Sequence, residues 1–188
     1  MHIVAGRHRG RRLEVPKGLA VRPTADRVRE ALFDVLAHNA YGPGGEALPK
    51  GARVVDAFAG SGALGFEALS RGAVHVTFLE NDIEALRALR RNAAMLGEED
   101  AVVIVARDAT RPGPAEAACA LAFLDPPYGS GLAAPALSQL AQAGWLMGGA
   151  LCVVELATKD AFAAPAGFTP IDERRHGDTR ILFLRWSP

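Results

Sequence analysis

From residue 52 onward the chain switches repeatedly between two spacings of apolar residues. Short continuous apolar runs predict strands over 53–57, 74–80, 102–106, 121–124 and 151–156, because a strand covered on both faces has no polar side to show. Between them, apolar residues recur three and four apart over 64–70, 83–96 and 133–143, the period of an amphipathic helix. Such alternation predicts a parallel sheet with helices on both faces. The last two runs, 168–175 and 180–186, flank His176-Gly-Asp-Thr179 with no helical stretch between them and predict an antiparallel hairpin. Ahead of this body, two short strand-like pieces around Gly6 to Gly10 predict an arginine-rich hairpin within 2–15. Residues 23–36 predict a helix capped by Thr24, with Val28, Leu32, Val35 and Leu36 as its apolar stripe. The Gly- and Pro-rich stretch 41–51 marks a boundary. The expected organisation is an α/β fold in three segments: 1–40 as basic hairpin and helix, 41–51 as linker, and 52–188 as the main body.

At 188 residues the chain holds one domain, or one domain with an appendage, and buries roughly 70% of its extended surface without staples. The net charge is zero, yet residues 1–30 carry eight Lys and Arg against three acids, so this segment is +5 and the remainder −5. A basic segment on an acidic body suits a polyanion docked at one edge; a solvated arm is the plainer alternative. Cys119 and Cys152 lie in apolar runs and the five histidines are scattered, so no zinc constellation exists and both thiols read as reduced core residues. No apolar run approaches the roughly 20 residues of a membrane span, and the basic N-terminus lacks the apolar stretch of a secretory signal. A cytoplasmic, soluble protein is expected.

The candidate chemistry begins at Asp125-Pro126-Pro127-Tyr128, which follows the strand ending at Leu124. In open α/β sheets the C-terminal strand edge is where ligands bind. An Asp followed by two prolines and an aromatic suits the grip of a planar, amine-bearing group. The carboxylate accepts one N–H, the Pro126 carbonyl accepts the other, and the fixed proline φ keeps the turn stiff. Tyr128 offers a face for stacking, worth about 1–3 kcal/mol. The bland reading is a diproline strand stop with a capping Asp and a core Tyr.

Gly60, Gly62 and Gly65 match G-x-G-x-x-G, and Glu80 follows Gly60 by twenty residues, as in a dinucleotide fingerprint. Asp56, just ahead of those glycines, argues against a pyrophosphate at the helix N-terminus, because the two would repel. The carboxylate suits a cation instead. S-adenosyl-L-methionine fits, with a positive sulfonium and ammonium and no phosphate. Asp56 is expected near its methionine portion, Glu80 at its ribose hydroxyls, Asn81 or Asp82 beside the adenine, and Asp108 at the adenine amine. Phe58, Ala59, Gly60, Ser61, Gly62 and Ala109 complete the expected donor wall, and Asp125 borders it. Taken singly, Asp56 reads equally well as a helix cap, Glu80 as a dipole partner and Asp108 as a turn residue.

With these motifs and the opening Ile3–Leu13, the chain resembles the RsmD-type family, the 16S rRNA (guanine-966)-N2-methyltransferases. The stretch Arg22-Pro-Thr-Ala-Asp-Arg-Val-Arg-Glu30 is the third specific piece of that likeness. The resemblance implies a Rossmann-like, seven-stranded class I methyltransferase sheet. It also implies S-adenosylmethionine as donor, and 16S ribosomal RNA in an assembling small subunit as partner. By position, Arg22, Pro23 and Thr24 would border the donor pocket. Asp125, Pro126 and Tyr128 would carry the chemistry on the 2-amino group of guanine. Substrate contacts are expected from Pro127, Tyr128, Arg7, Arg9, Arg11 and Arg12, with the protein acting as a monomer. His176 departs from the pattern, which leads one to expect an aromatic such as Tyr in that turn. The residues alone leave the acceptor open: adenine in RNA or DNA and a protein glutamine amide carry the same kind of amine. A nicotinamide dehydrogenase and a non-catalytic ribosome-assembly factor are the other readings.

Overall fold

Val54, Val55 and Ala57 are fully buried in β1 (Arg53–Ala57), an interior strand of the sheet. The computed structural model describes residues 1–16 and 23–188, the side chains of 23–25 excepted. After α1 (Pro23–His38) and β1 come α2 (Ala63–Ser70), β2 (His75–Glu80), α3 (Ile83–Leu96) and β3 (Val102–Ala106). β4 (Cys119–Leu124), α4 (Ala133–Gln142), β5 (Leu146–Ala157), β6 (Phe168–His176) and β7 (Thr179–Trp186) complete the fold. The described residues form a seven-stranded sheet in the order β3-β2-β1-β4-β5-β7-β6. β1 to β5 are parallel, and β7 runs antiparallel to both β5 and β6. Successive strands step outward on one side of β1 and then on the other, so a crevice opens between the tips of β1 and β4.

The two faces of the sheet carry separate apolar clusters. Val54, Val76, Phe78, Leu121 and Phe123 meet Phe33 and Leu36 of α1, Phe66 and Leu69 of α2, and Leu89 of α3. On the opposite face Val55, Ala57, Ala122, Leu124 and Val154 meet Ala136, Leu137 and Leu140 of α4. Cys119 and Cys152 are buried free thiols in this second cluster.

Ile3 and Leu13 of the N-terminal segment sit in the first cluster with α1. The boundary at 41–51 therefore separates stretches of sequence and not cores. The expected hairpin is present but short: His2 bridges Arg12, and the Ile3 amide donates to the Arg11 carbonyl at 2.9 Å. It is clamped to α2 rather than solvated. Glu67, with no exposed surface, accepts from the amides of Val4 (2.7 Å) and Ala5 (3.0 Å) and from Arg71 Nε (2.7 Å). Burying that carboxylate is tolerable because it is paired and bonded on both sides.

Two local expectations change. α1 starts at Pro23, so Thr24 lies inside the first turn and is not its cap; a proline suits a first helical position, where the missing N–H has no helical partner. β5 starts at Leu146, ahead of the apolar run, because Cys119 pairs with Leu146 across a register shift and Gly148 and Gly149 hide the strand in sequence.

Candidate active site

The β1–α2 turn builds one wall of the crevice. Gly62 precedes α2 with φ 81°, and a Cβ there would lie 2.6 Å from both Leu89 and Phe66 side chains. Only glycine fits there between Leu89 of α3 and the Phe66 ring of α2. Phe58, a residue with a side chain, also takes a positive φ of 63°, a strained conformation of the kind that gathers at functional sites. A Cβ added at Gly60 would meet nothing within 4 Å, so the loop backbone faces open space there. Ala59 and Ser61 of this loop are buried, as is Ala109 after β3.

Asp56 is 2% exposed, and its Oδ2 accepts the Gly65 amide of α2 at 2.9 Å. Burial pushes its pKa up to about 8; the Gly65 bond pulls it down, and the charge of Glu80 adds to the rise. A group placed this way gains from a neighbouring cation. The same bond occupies a helix N-terminal amide that a pyrophosphate would need, which disfavours a dinucleotide.

The other acids at the strand tips are partly engaged. Glu80 accepts from the amides of Gly60 (2.7 Å), Asn81 (2.8 Å) and Asp82 (2.8 Å). A carboxylate has about four acceptor positions, so these bonds leave little room for two hydroxyls at once. Asp82 caps α3 through the Ala85 amide at 2.8 Å. Asp108 Oδ1 accepts from both the amide and the hydroxyl of Thr110, bonds that hold its pKa below the ordinary value. The capping and turn roles of Asp56 and Asp108 thus coexist with their places near the C-terminal ends of β1 and β3. Arg22 lies outside the described residues, as do the side chains of Pro23 and Thr24.

On the other side of the crevice Asp125 follows β4 directly and opens onto a cleft of about 430 Å³. Tyr128, Glu155, His176, Arg29 and Met1 also line it. Asp125 is itself exposed to that cleft, yet the protein beside it and the charges of Glu155 and Asp56 raise its pKa above the ordinary carboxylate value. Pro126 is buried, while Pro127 is exposed. Tyr128 is 40% exposed, with its hydroxyl bonded to Glu155 Oε1 at 2.9 Å and to the Thr179 hydroxyl at 3.0 Å. Its pKa is pushed up to about 12, chiefly by burial. The ring is therefore fixed at one end with surface left to offer.

The arginines of the hairpin are not gathered at this cleft. Arg7 bonds Glu98 at 2.8 Å and Arg11 reaches the Met95 carbonyl at 3.2 Å. Both partners lie at the C-terminal end of α3, the end remote from the strand tips. Arg9 and Arg12 are exposed. Sequence reasoning missed Glu155, Thr179 and Arg29. Glu155 left a signal, as the lone acid in the apolar run Leu151-Cys-Val-Val-Glu-Leu156. Among the described residues no group of three His, Cys, Asp or Glu could hold a metal, and no helix is long and apolar enough to cross a membrane.

A sheet of this order, with acids on one side of its switch crevice and Asp-Pro-Pro-Tyr on the other, defines a class I, Rossmann-like methyltransferase fold. The solved Escherichia coli chain yhhF superimposes with a TM-score of 0.83 at 34% identity, covering 100% of this chain and 98% of that one. The family model described as Conserved hypothetical protein 95 matches residues 1–185. Ribosomal RNA small subunit methyltransferase D of Haemophilus influenzae is 39% identical over 181 residues, 94% of this chain and 89% of the relative. Its namesake in Escherichia coli K12 is 38% identical over 155 residues, 82% and 74% of the two chains. The chain belongs to this family, the RsmD family.

Proposed function

We propose that this chain uses S-adenosyl-L-methionine to methylate the exocyclic 2-amino group of a guanine in 16S ribosomal RNA. The observation that carries the reading is Asp125 at the tip of β4, flanked by the anchored ring of Tyr128 and on the strand next to β1, whose Asp56 is close enough for the two charges to interact. The relatives named as ribosomal RNA small subunit methyltransferase D support an RNA acceptor. The acidic donor set and the open backbone at Gly60 support a cationic, phosphate-free ligand.

In this reading Asp56 faces the charged end of the donor, Glu80 the ribose and Asp108 the adenine. Phe58 to Gly62, Asn81, Asp82 and Ala109 form the wall, and Arg22, Pro23 and Thr24 border it. When bound, S-adenosylmethionine supplies a methyl group activated by a positive sulfur. Asp125 and the Pro126 carbonyl accept the two N–H bonds of the guanine amine and hold its lone pair toward the crevice. Alignment of this kind supplies roughly 7–11 kcal/mol of barrier reduction. The base leaves its stack at a cost of a few kcal/mol, partly offset on Tyr128. Once methylated, the nitrogen is acidic, and Asp125 accepts its proton. A carboxylate whose pKa is already raised holds that proton better than an ordinary one.

Residues 1–40 form the RNA-contacting and lid segment and 52–188 the catalytic body of a cytoplasmic monomer acting on an assembling small subunit. Arg9, Arg11 and Arg12 contact phosphates, with Arg7 contributing less because Glu98 already pairs it. Asp125→Ala should abolish methyl transfer while calorimetric S-adenosylmethionine binding stays near normal; retention of most activity would refute the assigned role. Mass mapping of small-subunit RNA from cells with and without the protein should show one methylated guanine that depends on it.

A further inference from the structure

The acceptor side of the crevice holds a second carboxylate for which gripping an amine gives no use. β5 pairs with β4 through Leu124 against Val154, and the next step of that register sets Asp125 against Glu155. Glu155 is half-buried between the buried residues Val154 and Leu156 and lines the same cleft. An acid in such a strand costs free energy unless it is bonded. Tyr128 donates its hydroxyl to Oε1, and Thr179 bonds that hydroxyl from behind, which fixes the direction in which the carboxylate points.

We propose that Glu155 reads the Watson–Crick edge of the acceptor base, accepting the N1–H of guanine while Asp125 and the Pro126 carbonyl hold the 2-amino group. This rests on the function proposed above and sharpens it. Guanine presents two donors side by side on that edge, N1–H and the amine. Two carboxylates on adjacent strands present matching acceptors. Adenine and cytosine place a ring nitrogen lone pair beside their amine, and a primary amide places its carbonyl oxygen there. Each would aim a lone pair at Glu155 and be repelled. Among the amines that Asp-Pro-Pro-Tyr could grip, the second acid selects guanine. The negative potential that Glu155 adds at Asp125 is consistent with two acids facing one ligand edge.

The test compares the wild type, Glu155→Gln and Tyr128→Phe on small-subunit RNA carrying guanine or 2-aminopurine at the mapped position, introduced by splinted ligation. 2-Aminopurine keeps the methyl-accepting amine but has no N1–H. The readouts are kcat/KM for each base and donor binding by calorimetry. The wild type should prefer guanine roughly 10- to 100-fold, the range for a hydrogen bond to a charged group. In Glu155→Gln the guanine rate should fall by a similar factor. The 2-aminopurine rate should hold or rise, because the carboxamide N–H can meet the unprotonated N1, so the preference collapses toward one. Tyr128→Phe, which keeps the carboxylate but removes the bond that aims it, should lower both rates and reduce the preference by less than Glu155→Gln does.

Three outcomes overturn the proposal: a wild-type preference near one, an equal loss on both bases in Glu155→Gln, or a collapse of preference in Tyr128→Phe matching that in Glu155→Gln. Should Glu155→Gln not fold, Glu155→Asp replaces it, since a shorter acid must also lose preference if the edge is read. If the wild type leaves the guanine RNA unmodified, the proposed function fails and takes this inference with it. Methylated guanine with an unchanged preference refutes only the reading of the edge.

Discussion

Asp56 serves α2 through the Gly65 amide and also lies beside the crevice, and the two positions pull its proton in opposite directions. Its folded pKa is raised from 3.8 to about 8, so the native chain holds a proton that the unfolded chain releases. Its contribution to stability is therefore complete below about pH 4 and is lost as pH rises through about 8. In Asp56→Asn the amide keeps the Gly65 bond and removes the titration. Urea unfolding at pH 5 and pH 8 should show wild-type stability falling relative to that variant; a constant difference would contradict the assignment. S-adenosylmethionine, as a cation, should bind the wild type more tightly as pH rises over the same interval. The glycine loop and strand-end acids were legible because each sits at a change of hydrophobic period. The other engagements of Glu80, Asp82 and Asp108 were not, because bonds to local amides depend on turn geometry that a spacing rule does not contain.

The N-terminal hairpin is held by α2, although the sequence shows it mainly as a run of arginines. Gly6 has φ 81°, and a Cβ there would lie 1.9 Å from the Ser70 carbonyl oxygen. Gly6→Ala should therefore undock the hairpin, with backbone strain alone costing about 1–3 kcal/mol. Hydrogen exchange at the Ile3 and Leu13 amides, which bond Arg11 and Met1, should accelerate far more than exchange in β1. Equal acceleration would mean that the hairpin is not a separately opening element. Glu67, which secures the same contact, reads in sequence as a stray acid within an apolar helix. Its burial follows from a partner more than sixty residues away, a distance local periodicity cannot bridge. The C-terminal hairpin was plain by contrast, since the apolar run of β7 follows a short Gly-containing turn with no helical stretch between it and the mostly polar β6.

At the scale of the molecule the charge asymmetry predicts that RNA binding is salt-dependent, and the structure divides the arginines by availability. Replacing Arg9 and Arg12 with alanine should reduce the slope of log K against log salt by roughly one per arginine. Arg7→Ala should change it less, because Glu98 already neutralises that side chain. Equal slopes for both variants would show that the ion pair does not compete with RNA. The sequence located this charge along the chain but not in space; the hairpin tip lies by the C-terminal ends of α2 and α3, against Ser70 and Glu98.

The pairing of β1 with β4 has a further consequence. Asp56, Glu80 and Asp108 come from the stretch before residue 110, and Asp125, Tyr128 and Glu155 from the stretch after it, and the two halves adjoin along Val54–Ala57 against Leu121–Leu124. In the proposed function those four ladder rungs work as a ruler between the reactants. A slip of a single rung would displace one half by about 3.3 Å, comparable with the whole gap a transferred carbon has to cross. The alanines and valines packed around that seam, remote in character from any chemistry, thus set the reach of the reaction.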